Sequence, residues 1–228
     1  MATETVENYL KAIYTLAREP GSGAPAGAAG AATVTRVAAV LGVTPGTATA
    51  MLRKLAAGGL ARYQRYGAAT LTPKGERAAL DVLRRHRVLE QFLVQIVGLD
   101  WSEVHEEAER LEHAVSPRLL ERLDRMLGRP PADPHGDPIP DAGGRVPPQR
   151  GLPLSAAHAG VRVRIARVLD QSPEFLRFAE ASALRPGRTA RVVRVDPAAD
   201  AVVVRNEHKK EVTISRSAAA KVLVLPAE

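Results

Sequence analysis

The sequence predicts a mainly helical chain that ends in a small β domain. Three observations predict it. Residues 33–72 run helix, tight turn, helix, hairpin; residues 74–127 alternate charged and apolar residues at helical spacing; and short alternating strands follow a Pro- and Gly-rich stretch. At roughly 100–200 residues per domain, 228 residues make one large domain or two to three small ones.

The elements follow in order. Val6, Tyr9, Leu10, Ile13, Tyr14 and Leu16 recur at three- and four-residue spacing, so Thr3 to Arg18 is an amphipathic helix. Pro20 to Ala32 is low-complexity Gly, Ala and Pro and reads as a loop. A short helix from Thr33 ends at Gly42, whose permissive φ allows a tight turn. Thr44 can cap the next helix, with Pro45 in its first turn, and Gly58-Gly59 stops it. Ala61–Tyr66 and Thr70–Thr72 form a hairpin around Gly67. Lys74–Val97 and Trp101–Leu127 are two further helices, and Gly128–Leu154 is a linker or irregular connection. Strands follow at Val161–Leu169, Thr189–Val195, Ala201–Arg205, Glu211–Ser215 and Lys221–Leu225, with a helix over Leu176–Leu184. They make a β-barrel-like domain of about 70 residues.

Composition excludes several classes of function. There is no cysteine, so disulfide scaffolds, thiolate zinc sites, iron–sulfur clusters and cysteine nucleophiles are out. Aromatic residues are only 4%, which disfavours a base-stacking platform for single strands. No stretch approaches the ~18 apolar residues of a membrane span, and the N-terminus lacks a signal pattern, so a cytoplasmic protein without a membrane partner is expected. The net charge of +7 is unevenly spread. Residues 33–87 carry +8 and residues 88–128 carry −5, which suggests two partners of opposite sign.

The basic block coincides with the helix–turn–helix–hairpin, the outline of a winged helix. The second helix of such a unit enters the major groove with its N-terminal residues at the base edges. Here these are Thr44, Gly46, Thr47, Thr49 and Ala50, small enough for close approach; threonine hydroxyls pair with several bases, and Ala50 suits a thymine methyl. Arg53, Lys54, Arg62 and Arg65 supply contacts to the phosphate backbone. The same topology also serves as a dimerisation hairpin, but the +8 charge favours double-stranded DNA.

The acidic block contains a ligand pattern. His105, Glu109, Glu112 and His113 stand at i, i+4, i+7 and i+8, on one side of one helix, and His86 and Glu90 pair at i, i+4 on the helix before. Packed antiparallel through the turn at Gly98–Asp100, the two helices bring these groups together. Nitrogen and carboxylate donors without sulfur suit Mn²⁺, Fe²⁺, Co²⁺, Ni²⁺ or Zn²⁺. A solvated acidic face is the plainer alternative, and it accounts better for Glu103, Glu106, Glu107 and Glu121. His158 and His208 belong to no constellation. A metalloprotease is excluded because position 109 of the would-be H-E-x-x-H is Glu; no nucleophile elbow, P-loop or dinucleotide fingerprint is present, so no enzyme is expected.

Taken together, Val6–Tyr14, the helix-turn-helix with its wing, Leu71–Gly75, Arg85–Leu93, Val104–His113 and Pro134–Pro140 resemble the diphtheria-toxin-repressor family of iron- and manganese-dependent transcription regulators, over nearly the whole chain. The resemblance implies a winged helix-turn-helix DNA-binding domain (1–75), a helical metal-binding and dimerisation domain (76–128), a proline-rich linker (129–156) and an SH3-like β-barrel (157–228). It implies two metal sites per subunit: a primary one of Asn8, Glu109, Glu112 and His113, and an ancillary one of His86, Glu90 and His105, with Gln171 and Glu174 reaching over from the SH3-like domain. It further implies a homodimer whose binding to operator DNA responds to a divalent metal and controls metal-homeostasis genes. Metals with a purely structural role, or less readily a metallohydrolase, are the competing readings.

Three departures bear on the metal. Position 8 is Asn, where the family usually has Met or Asp. Position 109 is Glu, where the iron regulators have Cys, and position 11 is Lys, where compact two-manganese members have a Glu ligand. The harder donor set favours Mn²⁺, with Fe²⁺ as the alternative. The Ala/Gly loop at 20–32 is an insertion relative to the family.

Overall fold

The structure, a computed structural model, describes residues 3–18, 31–64, 67–148 and 151–227. The chain forms two compact units, one of residues 1–85 and 140–145, the other of residues 86–139 and 146–228.

In the first unit, helix α1 (Glu4–Leu16) buries Leu10 and Ile13, while α2 (Val34–Val40) and α3 (Pro45–Ala57) bury Val37, Ala48, Leu52 and Leu55. The two caps form as the hydroxyl residues dictate. The Thr33 and Thr44 side chains accept from the N–H of Arg36 and Thr47. Gly42 sits between α2 and α3 at φ +62, the left-handed conformation the tight turn demands. The wing strands β1 (Ala61–Arg62) and β2 (Thr70–Leu71) are antiparallel and shorter than the alternation predicts, at two residues each. Arg65 lies outside the described residues, as does most of the Ala/Gly loop. Residues 140–145 join this unit through Arg77, which donates to the carbonyls of Ala142 and Gly143, and Arg84, which donates to that of Pro140.

Helix α4 (Pro73–Phe92) runs on into a π-helical turn, Leu93–Val97, that stops at Gly98 with φ +81. In the second unit, the predicted helix Trp101–Leu127 is in fact two, α5 (Val104–Glu112) and α6 (Pro117–Met126). The break is local chemistry. Pro117 has no N–H to give α5, and Ser116 caps α6 by accepting from Leu119. Val88, Leu89, Val104, Ala108, Leu120 and Ile139 form the helical core.

The expected linker is partly ordered structure. Residues 131–139 fold into a hydrogen-bonded turn in which Asp133, His135, Asp137 and Ile139 are buried. Asp133 Oδ1 accepts from the N–H of both His135 and Asp137, at 2.8 and 2.9 Å. Beyond it lie β3 (Leu152–Pro153), β4 (Arg162–Val168), α7 (Pro173–Ala181), β5 (Thr189–Asp196), β6 (Ala201–Asn206), β7 (Glu211–Ser215), α8 (Arg216–Ala219) and β8 (Val222–Pro226). The six strands pair antiparallel in the order β3-β8-β4-β5-β6-β7. Their alternating apolar residues form one core with Leu154, Leu176 and Leu184, and Trp101 from the segment before α5 is buried in it.

Candidate metal centre

The last two turns of α4, and α5 with its C-cap His113, project six of the predicted donors into one cluster within the second unit. His86, Glu90 and His105 offer ligand atoms that all lie within 4.8 Å of one another. His86 Nε2 is 3.0 Å from Glu90 Oε1 and 3.0 Å from His105 Nδ1, which is itself 3.2 Å from Glu90 Oε1. On its other side, His86 Nδ1 lies 2.6 Å from Glu112 Oε2. Glu112 Oε1 lies 3.4 Å from His113 Nε2, and Glu109 Oε1 lies 3.6 Å from His105 Nε2. The two sets of donors that spacing alone separates are therefore joined through His86. Glu90 and Glu112 are almost wholly buried, whereas Glu109 is exposed.

A second cluster escapes a reading by helical spacing. Glu90, Asp133 and His135, all buried, also converge within 4.8 Å. His135 Nε2 donates to the Trp101 carbonyl at 2.8 Å, which leaves Nδ1 facing Glu90 Oε2 at 3.7 Å without a hydrogen-bond partner. Burial opposes an imidazolium here, but Glu90 and Asp133 outweigh it and push the His135 pKa up to about 9. Burial likewise acts against the Glu90 carboxylate, yet His86, His105 and His135 hold it well below the usual range. Asp133 has the opposite fate: burial, Asp137 and Glu90 push it well above the usual carboxylate range. These are the electrostatics of a site that fits a divalent cation. Buried carboxylates outnumber their fixed positive partners, and an orphaned imidazole nitrogen points at them. The signal in the sequence is D-P-H-G-D, a histidine flanked by two carboxylates in a glycine turn.

Neither predicted donor from the SH3-like domain reaches these clusters. Gln171 Nε2 donates to Asp137 Oδ2 at 2.6 Å, and Glu174 is exposed in the first turn of α7. Asp137 is already engaged by Arg167 and by Arg87, so Gln171 completes the hydrogen bonding of a buried carboxylate. Asn8 is half-buried on α1 of the first unit.

In the first unit, Thr44, Gly46, Thr47 and Ala50 are exposed at the start of α3, with Arg53 and Lys54 exposed further along. The Thr49 hydroxyl turns back to the Pro45 carbonyl at 2.8 Å. Arg53, Thr49, Thr33, Thr35 and Tyr63 line a cleft of about 480 Å³ beside the wing.

Comparison with known proteins divides the chain in three. Residues 1–69 match the iron dependent repressor N-terminal DNA binding domain, residues 72–141 the iron dependent repressor metal binding and dimerisation domain, and residues 152–226 the FeoA domain. The chain is 35% identical over 170 residues to the iron-dependent repressor IdeR of Mycobacterium leprae (strain TN), covering 75% of this chain and 68% of that protein. It is 33% identical over 127 residues to the HTH-type transcriptional regulator MntR of Lysinibacillus sphaericus (strain C3-41), covering 56% and 84%. A solved structure described as a manganese-dependent transcriptional repressor in complex with manganese superposes with a TM-score of 0.85 at 39% identity, covering 97% of this chain and all of that one. With both domains of the repressor and the FeoA domain present in order, the chain belongs to the iron-dependent repressor family, the diphtheria-toxin-repressor-like regulators.

Proposed function

We propose that the chain is a transcriptional regulator that binds double-stranded operator DNA as a homodimer when a divalent cation, Mn²⁺ or alternatively Fe²⁺, occupies two sites per subunit. The observation that carries this reading is the buried, cysteine-free cluster of carboxylates and imidazoles at the α4–α5 contact. A bound cation supplies positive charge that neutralises these carboxylates and cross-links the segments that bear them. In the primary site, Glu109, Glu112 and His113 are the donors from α5, and Asn8 joins them on the family resemblance. His86, Glu90 and His105 are the ancillary donors, to which the structure adds Asp133 and His135 as candidates; Gln171 positions Asp137. All-oxygen-and-nitrogen donors favour Mn²⁺.

The exposed start of α3, with Thr44, Gly46, Thr47 and Ala50, reads bases, and Arg53 and Lys54 hold phosphates. Ile96, Val97, Leu119 and Met126 are large apolar side chains left about half exposed on the helical segment, and they support a dimer face there. No described helix is long and apolar enough to cross a membrane.

The test is a titration of chelated protein with Mn²⁺ against a duplex selected from a random library. Mn²⁺ is expected to tighten binding by about 10-fold or more, in line with couplings of 1–3 kcal/mol. Arg53→Ala with Lys54→Ala should weaken binding to every duplex and reduce the salt slope by about 2. Equal affinity with and without metal would sink metal activation. Cooperative unfolding on chelation would instead mark the metals as structural.

A further inference from the structure

Apart from the metal clusters, the SH3-like domain carries a cleft of about 180 Å³ lined by Glu180, Arg185, Arg188, Asn206, His208 and Lys210. The α7–β5 connection supplies the two arginines, and the β6–β7 turn supplies His208 and Lys210. That turn is held firmly. Buried Asn206 accepts through Oδ1 from the N–H of His208 and of Lys210, both at 3.1 Å. Three permanent cations and an imidazole thus stand beside one lining carboxylate, Glu180, and Glu207 at the edge, which lies 3.6 Å from His208 Nε2. Arg185 is paired with Glu180 at 3.2 Å, and Arg188 with Glu207 just outside the lining.

The cleft has room for a phosphate-sized group. Guanidinium forks bind such oxyanions bidentately, as they do carboxylates. Arg185 also looks the other way. Its guanidinium carbon lies 4.8 Å from the centroid of Trp101, whose indole stacks on His135 at 5.5 Å and 24°. His135 in turn donates to the Trp101 carbonyl and faces Glu90. A contiguous path of packed side chains therefore runs from the cleft to the second cluster.

We infer that this cleft binds a small oxyanion carrying at least two negative charges, of the phosphate class, and that Arg185 and Trp101 couple its occupancy to the Glu90–Asp133–His135 cluster. An oxyanion draws Arg185 from Glu180, shifts the cation over the indole and alters how firmly His135 is held. By linkage, metal and anion change one another's affinity by the same factor. The coupling rests on the metal reading above; the cleft does not.

Trp101 is the chain's one tryptophan, so the indole emission arises on this path. Full-length, metal-free protein is titrated with inorganic phosphate, ionic strength being held constant with sodium chloride. A saturable change in emission is expected, its midpoint raised about 10-fold or more in Arg188→Ala/Lys210→Ala. Arg185→Lys, which keeps the charge and loses the fork, should weaken phosphate binding by calorimetry less than the double variant does while losing most of the emission change. Mn²⁺ affinity, measured by calorimetry with and without saturating sulfate, should differ at least fivefold in the wild type and less than twofold in the double variant. A linear response that chloride reproduces, or a midpoint unmoved in the double variant, overturns the cleft. A response to duplex DNA but not to phosphate overturns the small-anion ligand in favour of a nucleic-acid surface. Unchanged Mn²⁺ affinity overturns the coupling. Saturable phosphate binding in a protein that binds no Mn²⁺ upholds the cleft and removes the metal reading.

Discussion

His86 Nδ1 lies 2.6 Å from Glu112 Oε2, with both side chains buried, so one hydrogen bond ties the end of α4 to the end of α5. Glu112 also reaches His113 through its second oxygen. This carboxylate is thus the common partner of two imidazoles. Glu112→Gln keeps the shape but removes the charge and turns one acceptor into a donor. Glu112 is both a donor and the group that orients His86, so Mn²⁺ affinity is expected to fall about 100-fold or more, beyond the cost of losing an orienting group alone, with far-UV circular dichroism unchanged. Calorimetric Mn²⁺ titration checks it, and wild-type affinity would remove Glu112 from the site.

Asp133 separates metal binding from folding. Its carboxylate is buried beside Asp137 and Glu90, and its raised pKa records how costly that negative charge is without a cation. Asp133→Asn preserves an Oδ1 that can accept from His135 and Asp137, while deleting the charge. Thermal unfolding in a chelator should therefore rise by roughly 2–4 °C, about 1 kcal/mol for a chain of this size. The stabilisation produced by Mn²⁺ should shrink. A variant less stable in the chelator and equally stabilised by Mn²⁺ would assign Asp133 to the turn alone.

The metal-free protein should lose stability as the pH rises. His135 has a folded pKa of about 9 against an ordinary 6.5, so its contribution is complete below pH 6.5 and disappears as the pH climbs through 9. The contribution is on the order of 3 kcal/mol. Urea unfolding in a chelator at pH 6.5 and 9.0 measures it, and His135→Asn should flatten the difference. Since Nδ1 must be free of its proton to accept a cation, metal binding at neutral pH should release protons, measurable as a buffer-dependent binding heat.

How far the site is legible in the sequence depends on where its residues stand. His105, Glu109, Glu112 and His113 share one helix face, and helical periodicity converts their spacing directly into proximity. His86 and Glu90 are found the same way, on α4. The joining of the two sets through His86 is a matter of how α4 packs on α5, which no spacing within either helix contains. Asp133 and His135 sit in a turn, where residue intervals do not define a face. Their convergence on Glu90 comes from a fold-back that a Pro-rich stretch conceals as linker. Gln171 rests on the family resemblance and not on spacing, and its amide donates to the buried carboxylate of Asp137. Local signals were also outweighed between α5 and α6, where continuous charge alternation masks the Ser116-Pro117 start of a new helix.

Gly136 holds the turn that carries Asp133 and His135. Its φ is +88, and a Cβ added there would overlap the Ala166 carbonyl on β4. β4 is held against the turn, because Val168 N–H donates to the His135 carbonyl at 2.8 Å and Ile165 and Arg167, on either side of Ala166, are paired with β8. Gly187 makes the control: its φ is +89, but nothing stands within 4 Å of the added Cβ. Gly187→Ala should cost about 1 kcal/mol, the left-handed backbone penalty alone. Gly136→Ala adds a backbone clash and should cost about 3 kcal/mol or more in urea unfolding. It should also weaken Mn²⁺ binding, since relieving the clash moves the turn that carries Asp133 and His135. Equal costs for the two substitutions would mean that the turn yields freely, and that its contact with β4 does not hold Asp133 and His135 in place.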